Sequence, residues 1–273
     1  MYNSEATIVT TIQSIFIQEP HRLNIEIIVI DDGSEDNSAA KVKQMNKGNI
    51  RLLQLAKNGG QAQARNEGLR LAEGEWIQFM DSDDRVSSNL YSQFEKSLQP
   101  EKNCYLFSFI REMPTYSLRQ TITTIKDKRA FGHFGGTPCN KFIKKEICME
   151  FQPLYCFEDI CLVVDTMNQK ELRMSLVSDA YYFYNKKTNQ SVTTRFSKPE
   201  FNKAFSYLYN QIGKSDKWNR MYILEISLAF LFDRNIPLSI SFPAALKTVF
   251  RLFPYLPATM MNQNRKLIEN ERI

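Results

Sequence analysis

The sequence predicts an α/β protein, with a mostly parallel sheet flanked by helices and a helical extension at the carboxyl end. Three observations carry this. Short β-branched runs alternate with helix-patterned segments through the first hundred residues. Each of the first three runs ends in a polar cluster, Asp31-Asp32-Gly33-Ser34, Asn58-Gly59-Gly60 and Asp81-Ser82-Asp83-Asp84. From about Lys198 the pattern turns helical and rich in Phe, Leu and Tyr, broken by Pro237, Pro243, Pro254 and Pro257.

Taken in order, Ala6 to Gln18 reads as a helix, Glu26 to Ile30 as a strand, Asn37 to Met45 as a helix and Ile50 to Leu55 as a strand. A helix over Gln61 to Ala72, the strand Trp76 to Met80 and a helix over Asn89 to Leu98 follow. The second half is less regular. Cys104 to Arg111 and Ser117 to Ile125 read as strands, Asn140 to Ile147 and Asp159 to Lys170 as helices, and Ala180 to Asn185 as a strand, with an irregular loop near Gly132 to Pro138. A boundary near Phe196 divides a domain over 1–196 from a helical extension over 197–273. Parallel sheets bind ligands beyond the carboxyl ends of their strands, so the three polar clusters are expected on one edge.

Composition narrows the function. The net charge of +5 is spread over many elements with no long basic tract, which argues against nucleic acid as a partner and suits anionic phosphates or an acidic membrane surface. The five cysteines include no C-x-x-C pair and the two histidines are far apart, so neither a zinc site nor a disulfide framework is supported. The odd cysteine count and the absence of an apolar signal region point to a cytoplasmic setting. No run of 18 apolar residues is present.

The most informative stretch is Trp76 to Asp84, an apolar run that ends in three carboxylates. If the chain stays extended there, Asp81 and Asp83 point the same way. Such a pair suits a hard divalent cation, which takes one or two carboxylates from a protein and leaves other positions to water and phosphate. The same residues also suit a turn or a helix N-cap, with Asp84 leading into the helix near Asn89. Asp32, Gly33 and Ser34 likewise fit an Asx turn, and Glu158 and Asp159 fit a helical first turn. Arg65 lies one turn after Gln61, on the same helix face, and fits a pair with Asp32 or Asp81.

The order of these pieces resembles the family 2 glycosyltransferases, which have a Rossmann-like GT-A fold. The matching text is Tyr2-Asn3-Ser4-Glu5, Ser14 to Gln18, Ile28 to Ser34, Asn58-Gly59-Gly60, Ala64 to Gly68, Ala72 to Glu75, Phe79 to Asp84, and Glu158-Asp159. It spans residues 2–191. The resemblance implies that Asp81 and Asp83 hold Mn²⁺ or Mg²⁺, which grips the diphosphate of a nucleotide-sugar donor. It also implies donor contacts from Asp31, Asp32, Gly60, Arg65, Asp81 and Ser82, and Asp159 as the general base. Asn140-Lys141-Phe142 and Ser191 are lesser matches.

The implied activity is inverting transfer of a sugar, from a UDP-linked donor, to a hydroxyl of a growing surface polysaccharide or lipid-linked oligosaccharide. The alternatives are a sugar nucleotidyltransferase, though its Gly-rich, Lys-ended loop is not found, and a non-catalytic nucleotide-binding protein. Family members have a strand before the Tyr-Asn dipeptide. Its apparent absence ahead of Tyr2 predicts an open apolar slot with unpaired backbone groups in the middle of the sheet. The basic, aromatic tail from Phe242 to Arg265 fits a membrane interface, giving peripheral contact at the inner face of the cell membrane. It fits equally a helical pair packed on the catalytic domain.

Overall fold

The computed structural model describes residues 1–45, 48–125, 127, 129–133, 137–169, 171–186, 197–232, 238–252 and 268–272. The amino-terminal layer runs α1 (Ile8–Phe16), β1 (Ile27–Asp31), α2 (Ser38–Gln44), β2 (Ile50–Gln54) and α3 (Gln61–Leu71). β1 and β2 pair in parallel and form a two-stranded sheet. The apolar faces of α1 and α2 supply Ile8, Ile12 and Val42 to a cluster with Ile27 and Val29 of β1. These elements match the expected ones to within two residues at each end.

β3 (Trp76–Ile77), β4 (Arg85–Val86), α4 (Leu90–Ser97), β5 (Cys104–Glu112), β6 (Ser117–Ile122), α5 (Ala130–His133) and β7 (Lys141–Lys144) come next. α6 (Glu158–Met167), β8 (Met174–Asn185), α7 (Lys198–Gln211), α8 (Lys217–Phe232), α9 (Leu238–Leu252) and β9 (Ile268–Arg272) complete the order. β3 to β9 form a seven-stranded sheet around β5, whose residues 104–110 are all buried. An unbroken apolar run of this kind is what a central strand covered on both faces requires.

Four expectations need correction. The sheet is mixed rather than mostly parallel: only β1–β2 and β5–β8 run parallel, and the other pairings are antiparallel. The segment expected as a helix over Asn140 to Ile147 is strand β7 followed by a 3-10 turn at Lys145–Ile147. Ladders to β3 and β5 override its helix-like spacing. The strand expected over Trp76 to Met80 pairs only at Trp76 and Ile77. β9, in the extension expected to be helical, returns to pair with β6.

The sheet is interrupted between β1 and β3, which share no ladder. A cavity of about 400 Å³ lies there, lined by Ile28, Ile30, Leu69, Trp76 and Phe79 among others. Met1 sits at one end of it, its ammonium donating to the Ile30 carbonyl (2.6 Å) and its carbonyl accepting from the Asp32 amide (2.8 Å).

The carboxyl-terminal helices share the core. Ala204 and Leu208 of α7, Tyr222 and Ile223 of α8 and Leu252 of α9 pack with Cys161 and Val164 of α6. The described part of the tail follows the packing alternative: Ala245 lies in a cluster with Phe201 and Phe205, while Phe250 stays exposed. No helix among the described residues is long and apolar enough to cross a membrane. The boundary near Phe196, Ser191 and the tail beyond Leu252 up to Arg265 lie outside the described residues.

Candidate functional site

The end of β1 brings two buried carboxylates to the sheet edge. Asp31 Oδ1 accepts from the Ser34 amide three residues on (3.2 Å) and Oδ2 from Gln54 Nε2 (3.3 Å), so Asp31, rather than Asp32, closes the turn after β1, and not as an Asx turn. Gly33 takes φ +74° in that turn, a conformation glycine adopts without steric cost. Asp32 instead grips the glycine loop: its two oxygens accept the Gly59 and Gly60 amides, each at 2.8 Å. Gly60, at φ +87°, is the residue from which α3 starts.

One turn into α3, Arg65 joins two elements distant in sequence. Its Nη2 donates to Asp81 Oδ1 and its Nη1 to Glu158 Oε1, both at 2.8 Å. The guanidinium lies 5.2 Å from the ring centroid of Phe151, itself fixed by Asn66, which accepts from the Phe151 amide and donates to its carbonyl. Burial works against the Arg65 charge, but Asp81, Cys139 and Glu158 outweigh it and raise the pKa above its ordinary value. Of the two partners the sequence offered, Asp81 is the one engaged.

The acidic run is a turn, not an extended strand: the Asp84 amide donates to the Asp81 carbonyl at 3.2 Å. The alternation argument for Asp81 and Asp83 therefore does not apply, and their proximity comes from the turn. Thr11 of α1 holds this turn, its hydroxyl reaching the carbonyls of Ser82 (3.0 Å) and Asp84 (2.9 Å). Ser82 Oγ lies 2.7 Å from Ser4 Oγ. Asp84 is not the cap of α4. It is buried and accepts from the Tyr182 hydroxyl (2.5 Å) and the Asn185 amide (2.8 Å), which tie the turn to β8. Burial and the neighbouring Asp81 push Asp84 up to about 8, and the same two causes raise Asp83.

Asp159 stands in the first turn of α6, next to Glu158. Burial, then the like charge of Glu158, push its carboxyl up to about 7, and Arg65 opposes them. Its Oδ1 accepts from the Ile160 amide at 2.8 Å. The helix begins after Phe157, a non-glycine residue at φ +61°, a conformation that aims the first turn at Arg65 and carries a cost. Glu158 is buried and its pKa is raised, burial exceeding the opposing pull of Arg65.

Arg65 thus brings the acidic turn, with Asp81, Ser82 and Asp83, to the first turn of α6, where Asp159 stands, while Asp31, Asp32 and Gly60 lie together where β1 ends and α3 begins. Asp81 and Asp83 offer hard oxygen donors, and among the described residues no group of three or more His, Cys, Asp or Glu forms a fuller cage. That set fits a cation held by one or two carboxylates together with substrate phosphate. Two contributors were not singled out from sequence. Glu158 was quoted only beside Asp159, where its charge was the available signal. Tyr182 lies in the aromatic stretch Tyr181 to Tyr184, and nothing local marks it as the partner of Asp84.

Residues 1–159 match the family described as Glycosyl transferase family 2. The chain is 38% identical to Glycosyltransferase GlyG of Streptococcus pneumoniae over 101 residues, 36% of this chain and 33% of that protein. It thus spans about a third of the length of that relative. It is 30% identical to an uncharacterized glycosyltransferase of Mycoplasma genitalium over 212 residues, 69% of this chain and 68% of the relative. Its fold is similar to that of Staphylococcus aureus TarS 1–349 crystallised with UDP-GlcNAc, at a TM-score of 0.71 and 20% identity over 94% of this chain and 80% of that one.

Proposed function

Since the chain belongs to glycosyltransferase family 2, we propose that it is an inverting, metal-dependent enzyme that moves a hexosyl or N-acetylhexosaminyl group from a UDP-linked donor. The acceptor is a hydroxyl of a growing surface polysaccharide or lipid-linked oligosaccharide. The observation that carries this reading is the Arg65 bridge, because it sets the acidic turn and the first turn of α6 on either side of one guanidinium.

Asp81 and Asp83 would hold Mn²⁺ or Mg²⁺, which when bound supplies positive charge against the diphosphate as it leaves. Arg65 holds the Asp81 carboxylate in place and adds positive charge beside it. Asp32 fixes the glycine loop, so that the start of α3 presents free amides toward an anionic or polar ligand. Asp31, through its bond to the Ser34 amide, shapes the nucleotide end of the site. Inversion requires one in-line attack, and Asp159 takes the proton from the attacking hydroxyl at its carboxylate. A base near pH 7 suits that step, being both deprotonated in part and basic enough to accept a proton.

Calorimetric titration with UDP-GlcNAc, with and without Mn²⁺, tests the reading together with Asp159→Asn. Metal-dependent binding should be retained by the variant while transfer falls by roughly 100- to 10,000-fold, the usual contribution of a positioned base. Full turnover by Asp159→Asn removes the base assignment, and donor binding indifferent to metal removes the metal.

A further inference from the structure

The carboxyl ends of β5 and β8 carry two cations that this machinery leaves unused. In the parallel pairing of these strands Phe109 lies opposite Tyr182 and Arg111 opposite Tyr184. The Lys186 amide continues the ladder by donating to the Glu112 carbonyl at 2.8 Å. Residues two apart on a strand share a face, as do residues opposite one another in a ladder. Arg111, Tyr184 and Lys186 therefore stand on the face that presents Tyr182 to the acidic turn, where the Tyr182 hydroxyl donates to Asp84 and accepts from the Asp81 amide.

The Arg111 guanidinium lies 5.2 Å from the Phe109 ring centroid, and the Lys186 ammonium 4.8 Å from that of Tyr184. Among the described residues neither makes an ion pair, and the buried Nε of Arg111 has no hydrogen-bond partner. The neighbouring Arg85 shows the contrast, since it pairs with Glu112 at 2.7 Å. Burial lowers the pKa of both Arg111 and Lys186, and Arg111 lowers Lys186 further, against the smaller opposing pull of Asp84 and Asp83 on Lys186 and of Tyr184 on Arg111. A part-buried guanidinium carries five donors and no acceptor, so leaving it unmatched beside a second cation is costly. An anion seated between the two would remove that cost.

We propose that Arg111 and Lys186 form a phosphoryl-binding subsite at the carboxyl end of β5 and β8, taking the tetrahedral oxyanion of a phosphate ester or diphosphate beside the acidic turn. The arginine supplies a planar fork for two oxygens and the lysine a point charge, a combination suited to phosphate. Two sources share this chemistry, the diphosphate of a sugar donor and a phosphate within the acceptor. Assigning either source rests on the glycosyltransferase reading, whereas the anion site itself does not.

The test uses the full chain and inorganic pyrophosphate without metal, measured by calorimetry. Arg111→Gln and Lys186→Gln should each weaken binding by roughly 10-fold, the scale of one charge-assisted hydrogen bond. Arg111→Lys, which keeps the charge but loses the fork, should fall between the unaltered chain and Arg111→Gln, and Lys96→Gln, on the exposed side of α4, should match the unaltered chain. Melting temperatures of all variants check that they fold. UDP titrated at saturating Mn²⁺ then separates the sources. A parallel loss in Arg111→Gln identifies the donor diphosphate, and unchanged UDP affinity with a raised KM for a phosphate-bearing acceptor identifies the acceptor. Pyrophosphate affinity within twofold of the unaltered chain in both glutamine variants overturns the subsite, as does an unaltered chain that binds no pyrophosphate saturably. If pyrophosphate binds through these residues but UDP does not bind with Mn²⁺, the subsite stands and the glycosyltransferase reading fails.

Discussion

Replacing Arg65 by Met tests the centre of the site through stability alone. The Arg65 side chain is 14% exposed and joins Asp81, at 34%, to Glu158, at 2%. The Asp81 arm is open to solvent and contributes about 0–1 kcal/mol. The Glu158 arm dominates, since removing one partner of a buried pair costs about 3–5 kcal/mol. Arg65→Met should therefore lose about 3–6 kcal/mol at pH 8. Glu158 has one escape, which is to bind a proton. Without Arg65 its folded pKa rises further above the unfolded value, so the protonated form is stabilised at low pH and that contribution is lost as pH rises through the folded pKa. Between the two values the variant loses at most about 1.4 kcal/mol per pH unit. The penalty is thus larger at pH 8 than at pH 5.5. Urea unfolding followed by the fluorescence of Trp76 and Trp218 measures it at both. Adding Glu158→Gln removes the stranded charge and should recover about 2 kcal/mol, the part of the loss that was uncompensated charge. A loss under about 1 kcal/mol at pH 8, or a double variant no more stable than Arg65→Met, refutes the reasoning.

Two further outcomes are expected. A Cβ at Gly33 would sit 2.8 Å from the backbone of Lys57 and Asn58 at a φ of +74°, so Gly33→Ala should cost about 1–3 kcal/mol in thermal or urea unfolding; an unchanged midpoint would show the turn to be compliant. With Asp159 at about 7, kcat/KM should rise with pH through that region, and Glu158→Gln, which removes the like charge, should move the limb to lower pH. A limb near 4 in the unaltered chain contradicts the burial argument.

The elements legible in the sequence were those whose pattern is set locally. β1 and α3 carry enough periodicity and end signals, Gly60 among them, to be read to within a residue or two. β7 was not legible because its identity comes from two neighbouring strands, one of them over sixty residues earlier. At the site, residue types at strand ends named the carboxylates, but their partners required the fold. Asp31 and Asp32 look interchangeable in sequence, yet one closes a turn on itself and the other clamps the loop that begins near Asn58. The roles of Glu158 and Tyr182 depend on contacts 93 and 98 residues apart, and that of Arg111 on ladder register, and no local signal encodes those.

The break between β1 and β3 divides the molecule's acidic residues between two separately hydrogen-bonded frames. Asp31 and Asp32 ride on the two-stranded sheet, while Asp84 and the Asp81 amide are bonded to β8 of the other. Side-chain contacts, among them Thr11 with the acidic turn and Arg65 with Asp81, rather than a shared ladder, set the distance between the two groups. A ligand that touches both groups would therefore draw at once on β1 and on β8, and the Arg65 and Thr11 contacts fix how far apart its two ends must reach.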